Sequence, residues 1–288
     1  MRKNQFIEKV IHGIFLLLGL ITVGCVLLIT VYLVISGIPA IREIGLIDFL
    51  FGKEWASTAE EPKYGILPFI LTSVYGTAGA IVIGVPIGFM TAVYLSKLAS
   101  PKVKSTMQSA VSLLAGIPSV VYGLVGMLVL VPGIRKLFSV PDGASLLAAI
   151  IVLAIMILPS IIKMSITALD AVPKEYEDAS LALGATPVET YFRVSVPAAK
   201  SGIAAAVVLG VGRAIGEAMA VMMVAGNAAN MPNSIFQSVR FLTTAVSSEI
   251  SYSGGVQRQA LFSIALVLFL FIMLINAALN FFLKREKE

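Results

Sequence analysis

The chain has 288 residues, of which 58% are hydrophobic and only 13% charged, with a mean hydropathy of +0.96. Soluble domains run at about 45–50% apolar and about 25% charged, so this composition reads as an integral membrane protein. The formal charge of +5 comes without a basic stripe interleaved with aromatics, which argues against a nucleic-acid partner. The single cysteine, Cys25, excludes an intrachain disulfide and a cysteine metal cluster, and the single histidine, His12, has no second histidine with which to share a metal.

Arg2, Lys3 and Lys9 precede an apolar run over 11–35, which imitates a signal peptide. The run is longer than the ~7–15 residues of a signal core and lacks a clear small-residue cleavage site, so it is expected to remain as an anchor. A span needs ~20 mostly apolar residues. Six stretches qualify: 11–35, 67–95, 107–131, 146–169, 202–226 and 260–283. Gly84–Gly88 and Gly212–Gly216 have the small-xxx-small spacing that lets helices approach closely. Between the first two spans, residues 36–66 form a polar loop, and its Trp55 and Tyr64 are expected to anchor at the membrane interface.

The polar segment Pro173 to Lys200 breaks the pattern. Pro173 suits a first helical position, and Gly184 suits the left-handed residue that ends a helix. Thr186-Pro187-Val188-Glu189 has the form of a capping box opening a second helix. Tyr176, Ala179, Ser180 and Leu183 fall on one weakly apolar face. Two readings stay open: a folded handle for a partner, or an ordinary polar connector.

Arg213 lies twelve residues from Ser201 and twelve from Ala225, ~18 Å from either surface in a continuous helix. That depth costs arginine roughly 2.5–3.5 kcal/mol or more. Glu217 is four residues on, which in a continuous helix is the same face. The pair could close a structural salt bridge. Alternatively, the guanidinium receives an anion and Glu217 holds it when the path is empty. Lys163 is close enough to its span end to snorkel. Beyond the fifth span, Ile235, Val239, Leu242 and Val246 recur at helical spacing, which predicts an amphipathic helix in the 227–259 segment. Twelve Lys and Arg fall on the side of both termini and of the polar segment, and seven on the other, so the first side is expected to be cytoplasmic.

Asp178-Ala179-Ser180, Gly184 six positions after the aspartate, and Val194-Ser195-Val196-Pro197 resemble the cytoplasmic signature of ATP-binding-cassette importer permeases, Glu-Ala-Ala, Gly, Ile-x-Leu-Pro, with intact spacing and conservative replacements. The stretch from Gly212 to Val221, beginning Gly-Arg-Ala-Ile-Gly-Glu, resembles phosphate permeases, and sulfate and molybdate permeases have a similar run. Gly116-Ile117-Pro118-Ser119-Val120-Val121-Tyr122-Gly123, Phe51 to Trp55, and Tyr64 to Ile70 resemble the phosphate branch, and the last two favour its PstC-type subunit over the PstA-type.

This resemblance implies an all-α membrane protein with six transmembrane helices, the type I importer permease fold, a single domain and both termini cytoplasmic in a bacterial cell membrane. It implies a PstA-type partner permease, a dimeric cytoplasmic ATPase and an extracytoplasmic phosphate-binding protein. Glu177, Asp178, Ala179, Gly184, Ala185, Thr186, Pro187 and Glu189, within the loop 170–200, would couple to the ATPase, while Arg213 and Glu217 would line the substrate path. The chain has no G-x-x-x-x-G-K-[ST] loop, so ATP and magnesium would be held by the ATPase and no cofactor by this chain. Sulfate or molybdate is the competing substrate class. An intramembrane enzyme would need convergent catalytic groups that the spans do not offer.

Overall fold

The computed structural model describes residues 2–285. Its helices are α1 (Arg2–Ile44), α2 (Leu46–Phe51), α3 (Leu67–Val93, continued by a π turn over Tyr94–Leu98), α4 (Pro101–Gly116), α5 (Ser119–Val125), α6 (Val131–Phe138) and α7 (Leu146–Asp170). There follow α8 (Lys174–Ala182), α9 (Pro187–Thr190), α10 (Val196–Ala198), α11 (Lys200–Gly216), α12 (Met219–Val224), α13 (Leu242–Glu249) and α14 (Gly255–Arg285). A short antiparallel hairpin, β1 (Trp55–Ala56) with β2 (Lys63–Tyr64), sits between α2 and α3. Among the described residues, Val10–Ile44, Leu67–Leu98, Ser119–Phe138, Leu146–Asp170 and Gly255–Ala278 are each long and apolar enough to cross a membrane.

The bundle is organised on α7, whose apolar window is 67% buried, while that of α1 is 0% buried. In water the bare Leu, Ile and Phe of α1 would be untenable; in lipid they are solvated. Close approach of α3 to α7 depends on the first small-residue pair. A Cβ at Gly84 would lie 2.7 Å from Ile157 Cδ1, and one at Gly88 2.9 Å from Ile161 Cγ2. The second pair, Gly212 and Gly216, meets nothing within 4 Å.

Two expected spans are broken. The third begins at Ser119, not at 107. Pro118 has no amide hydrogen and disfavours helical backbone at the residue before it. Ile117 is accordingly extended (φ −70°, ψ 127°), and α4 stops at Gly116. At the break the Leu114 carbonyl accepts from the Ile117 amide at 3.2 Å and from the Tyr122 hydroxyl at 2.7 Å. The fifth span is interrupted at Glu217, which is extended (φ −73°, ψ 128°) between α11 and α12. Glu217 therefore does not lie one helical turn beyond Arg213.

The amphipathic helix expected over 235–246 is also corrected: helix α13 starts only at Leu242. Residues 226–241 instead form an irregular strap that caps α7. The Leu146 and Leu147 amides, orphaned in the first turn of α7, donate to the Gln237 carbonyl at 3.1 Å and the Ile235 carbonyl at 2.7 Å. Apolar spacing of four fits a helix, but the strap's carbonyls are needed by another helix.

Trp55 is a further correction. It is only 8% exposed, with its ring edge-on to Tyr64 at 5.6 Å, so it is no interface anchor. Its indole N–H donates to the Glu249 carboxylate at 3.2 Å. Glu249 also accepts from Gln257 at 3.1 Å and pairs with Arg240, whose guanidinium lies over the Phe69 ring. Four segments meet on one mostly buried carboxylate. Glu249→Ala should lower stability by about 2–4 kcal/mol, because it strands a partly buried arginine and indole. Glu249→Gln should cost less. Thermal unfolding of the purified protein in detergent measures both, and equal Tm values for wild type and Glu249→Ala would refute the hub.

Candidate functional site

The polar segment folds as a compact unit at the end of the bundle opposite the hairpin. Pro173 is extended and α8 starts at Lys174. After Leu183 the backbone turns at Gly184 with φ +89°, where L side chains are strained. Thr186 and Glu189 then form the reciprocal box. The Thr186 amide donates to Glu189 Oε2 at 3.0 Å, and the Glu189 amide to Thr186 Oγ1 at 3.4 Å. The Thr186 amide and hydroxyl together hold the Glu189 carboxyl below the usual carboxylate range. Ser180 and Thr190 hydroxyls meet at 3.0 Å, locking α8 to α9.

The unit is tied to the bundle by charge. Glu177 Oε1 accepts from Lys97 Nζ at 2.6 Å and from the Ser195 hydroxyl at 2.8 Å. Glu177 is thus turned inward onto the end of α3. Asp170, at the end of α7, pairs with Lys104 at 2.9 Å. Asp178, Ala179, Thr186, Pro187 and Glu189 are exposed, as is Gly184, and Ala185 is half-buried. Around them Tyr176, Leu181, Leu183 and Val188 are bare, Leu183 to 90%. The bundle's own contacts therefore hold Glu177, while the rest of the segment presents a mixed apolar and polar face.

The chain leaves this unit through α10, bends by 71° into α11, and reaches Arg213 thirteen residues after Lys200. At ~1.5 Å per residue that is ~20 Å along the bundle. Arg213 stands in the last turn of α11, where the free carbonyls of the helix end favour a cation. Its Nη1 donates to Ser160 Oγ on α7 at 3.4 Å. With Ser160, Val208, Leu209, Gly212 and Asn276 of α14 it lines a cavity of about 480 Å³.

Among the described residues no carboxylate lies within 4.0 Å of the Arg213 guanidinium. The Glu217 carboxylate instead accepts the Ala220 amide of α12 at 3.0 Å, and its carbonyl accepts the Thr243 hydroxyl at 2.8 Å. Glu217 thus holds the break in the span in shape. α12 packs on α5 through Gly123, where a Cβ would lie 2.8 Å from Ala220 Cα. The Gly116–Gly123 and Gly212–Val221 stretches, far apart in sequence, are joined there.

Sequence reasoning missed Ser160 and Asn276. An asparagine within the apolar run 260–283 was a readable signal, since intramembrane polar groups are costly.

A family model described as "Binding-protein-dependent transport system inner membrane component" matches residues 84–287. The "Probable ABC transporter permease protein YqgH" of Bacillus subtilis is 41% identical over 266 residues, covering 90% of this chain and 86% of that protein. The "Phosphate transport system permease protein PstC" of Haemophilus influenzae is 35% identical over 278 residues, covering 89% and 86%. Among solved structures, an inward-facing MetNI methionine ABC transporter superposes with a TM-score of 0.57 at 21% identity, over 77% of this chain and 94% of that one, a likeness of fold alone. On the breadth of these matches, the chain belongs to the family of binding-protein-dependent transport system inner membrane components.

Proposed function

We propose that this chain is the PstC-type membrane subunit of an ATP-driven importer of inorganic phosphate. The observation that carries the reading is Arg213: a guanidinium halfway along the bundle, paired with no carboxylate among the described residues, facing a cavity through which an anion can reach it. Arginine stays charged and offers a fork of donors to an oxyanion. The PstC relatives, similar along most of the chain, support phosphate as that oxyanion.

In this reading the chain does no covalent chemistry. A PstA-type permease supplies the other half of the path, a binding protein delivers the anion from outside, and a dimeric ATPase works from the cytoplasm. The α8–α9 unit and both termini then face the cytoplasm, in line with the lysine and arginine bias of the loops. The bare Leu183 and Val188 face is where the ATPase docks. Docking motion passes through α10 into α11, and a packed bundle answers as a rigid-body switch.

The test is reconstitution of the complete complex in vesicles with binding protein loaded with phosphate, sulfate or molybdate. ATP hydrolysis and uptake should be stimulated by the phosphate-loaded form. Stimulation by a sulfate- or molybdate-loaded form instead would reassign the substrate.

A further inference from the structure

Helices in a membrane have few ways to satisfy a hydroxyl, and the usual one is the carbonyl four residues back. Thr22, Thr30, Thr91, Ser109 and Thr167 all do this, at 2.7–3.0 Å. Ser160 makes no such bond among the described residues; its oxygen takes the Arg213 N–H and its own proton is left free for something in the cavity. Asn276, which lines the same cavity, makes no hydrogen bond to any described residue although it lies in a run of apolar side chains. Two polar groups with spare capacity thus share the cavity with the guanidinium.

Their donor and acceptor content differs. Arg213 has five N–H donors and no acceptor. Ser160 gives one lone pair to Arg213 and offers an O–H. Val208, Leu209 and Gly212 bring no polar side-chain atoms. Of the side chains lining the cavity, only Asn276 carries a carbonyl acceptor, beside its N–H donors. A cavity made only of donors would suit a fully deprotonated oxyanion. Inorganic phosphate at neutral pH keeps at least one proton, whereas sulfate keeps none.

Resting on the phosphate reading above, we infer that Asn276 is a specificity-determining residue of the path, its carbonyl oxygen accepting the proton that phosphate retains, while Ser160 O–H and Arg213 bind the anion's bare oxygens. Sulfate would set a bare oxygen against that acceptor, and so is disfavoured within the membrane itself, independently of the binding protein.

The experiment uses the purified permease–ATPase complex in nanodiscs without binding protein. Binding of radiolabelled phosphate is followed with unlabelled phosphate or sulfate as competitor. In the wild type, sulfate should compete less well than phosphate by on the order of tenfold. Asn276→Leu should weaken phosphate and bring the two competitors to within about twofold, while Asn276→Ser, which keeps a hydroxyl acceptor, should retain the preference for phosphate. Arg213→Ala should abolish binding of both anions. If Arg213→Ala abolishes binding but Asn276→Leu keeps the wild-type ratio, the role of Asn276 is wrong and the anion site stands. If Arg213→Ala binds phosphate normally, the anion site is wrong and the Asn276 inference falls with it.

Discussion

Replacing Arg213 by alanine should reduce phosphate uptake by about a hundredfold or more while leaving the complex assembled. A fork of two charge-assisted hydrogen bonds to an oxyanion is worth about 3–5 kcal/mol, which corresponds to that loss. Few native contacts oppose the substitution: among the described residues the side chain makes a single long bond, 3.4 Å to Ser160. Removing it relieves roughly 2.5–3.5 kcal/mol of insertion cost for arginine at depth. The variant should therefore be no less stable than wild type and should co-purify with its ATPase in equal yield. Arg213→Lys keeps the charge but not the planar fork, so it should recover only part of the rate. Uptake by Arg213→Ala at the wild-type rate, in a complex shown to be intact, would remove Arg213 from the path.

The six apolar stretches were legible because hydropathy alone decides what lipid will accept, and five of them correspond to helices that qualify as spans. Their interruptions were not. Pro118 and Glu217 stand in apolar runs, and whether a helix bends or stops there depends on partners that satisfy the freed groups. Tyr122 and Thr243 supply them here. The turn at Gly184 and the Thr186–Glu189 box were fully readable, since both are local and need no knowledge of the bundle.

At the candidate site the sequence revealed the depth of Arg213 but not its neighbours. Rotation of an apolar helix about its axis is not fixed by a pattern that is apolar all round. Ser160, 53 residues earlier in the chain, could therefore be found only in three dimensions. Trp55 and Glu249, 194 residues apart, were hidden for the same reason.

Gly184→Val should uncouple ATP hydrolysis from transport. A Cβ at Gly184 would meet nothing within 4 Å, so the substitution adds no clash and acts through the backbone alone. A non-glycine residue held at φ +89° costs roughly 1–3 kcal/mol, the most for a β-branched side chain. That is enough to shift the α8–α9 turn into other conformations, and every exposed group of the docking face is placed by that turn. Leu183 and Val188 on its two sides would lose their fixed separation. Asn tolerates left-handed backbone, so Gly184→Asn should dock and couple much more nearly like wild type. The measurement is ATPase activity and uptake in the same vesicles, with co-purification of the ATPase as the docking readout. Loss with Val and retention with Asn would assign the effect to backbone conformation. Equal and full coupling in both would mean that the turn is free to change and that α8 and α9 do not act as one rigid body; equal loss in both would place a partner's atoms directly over Gly184.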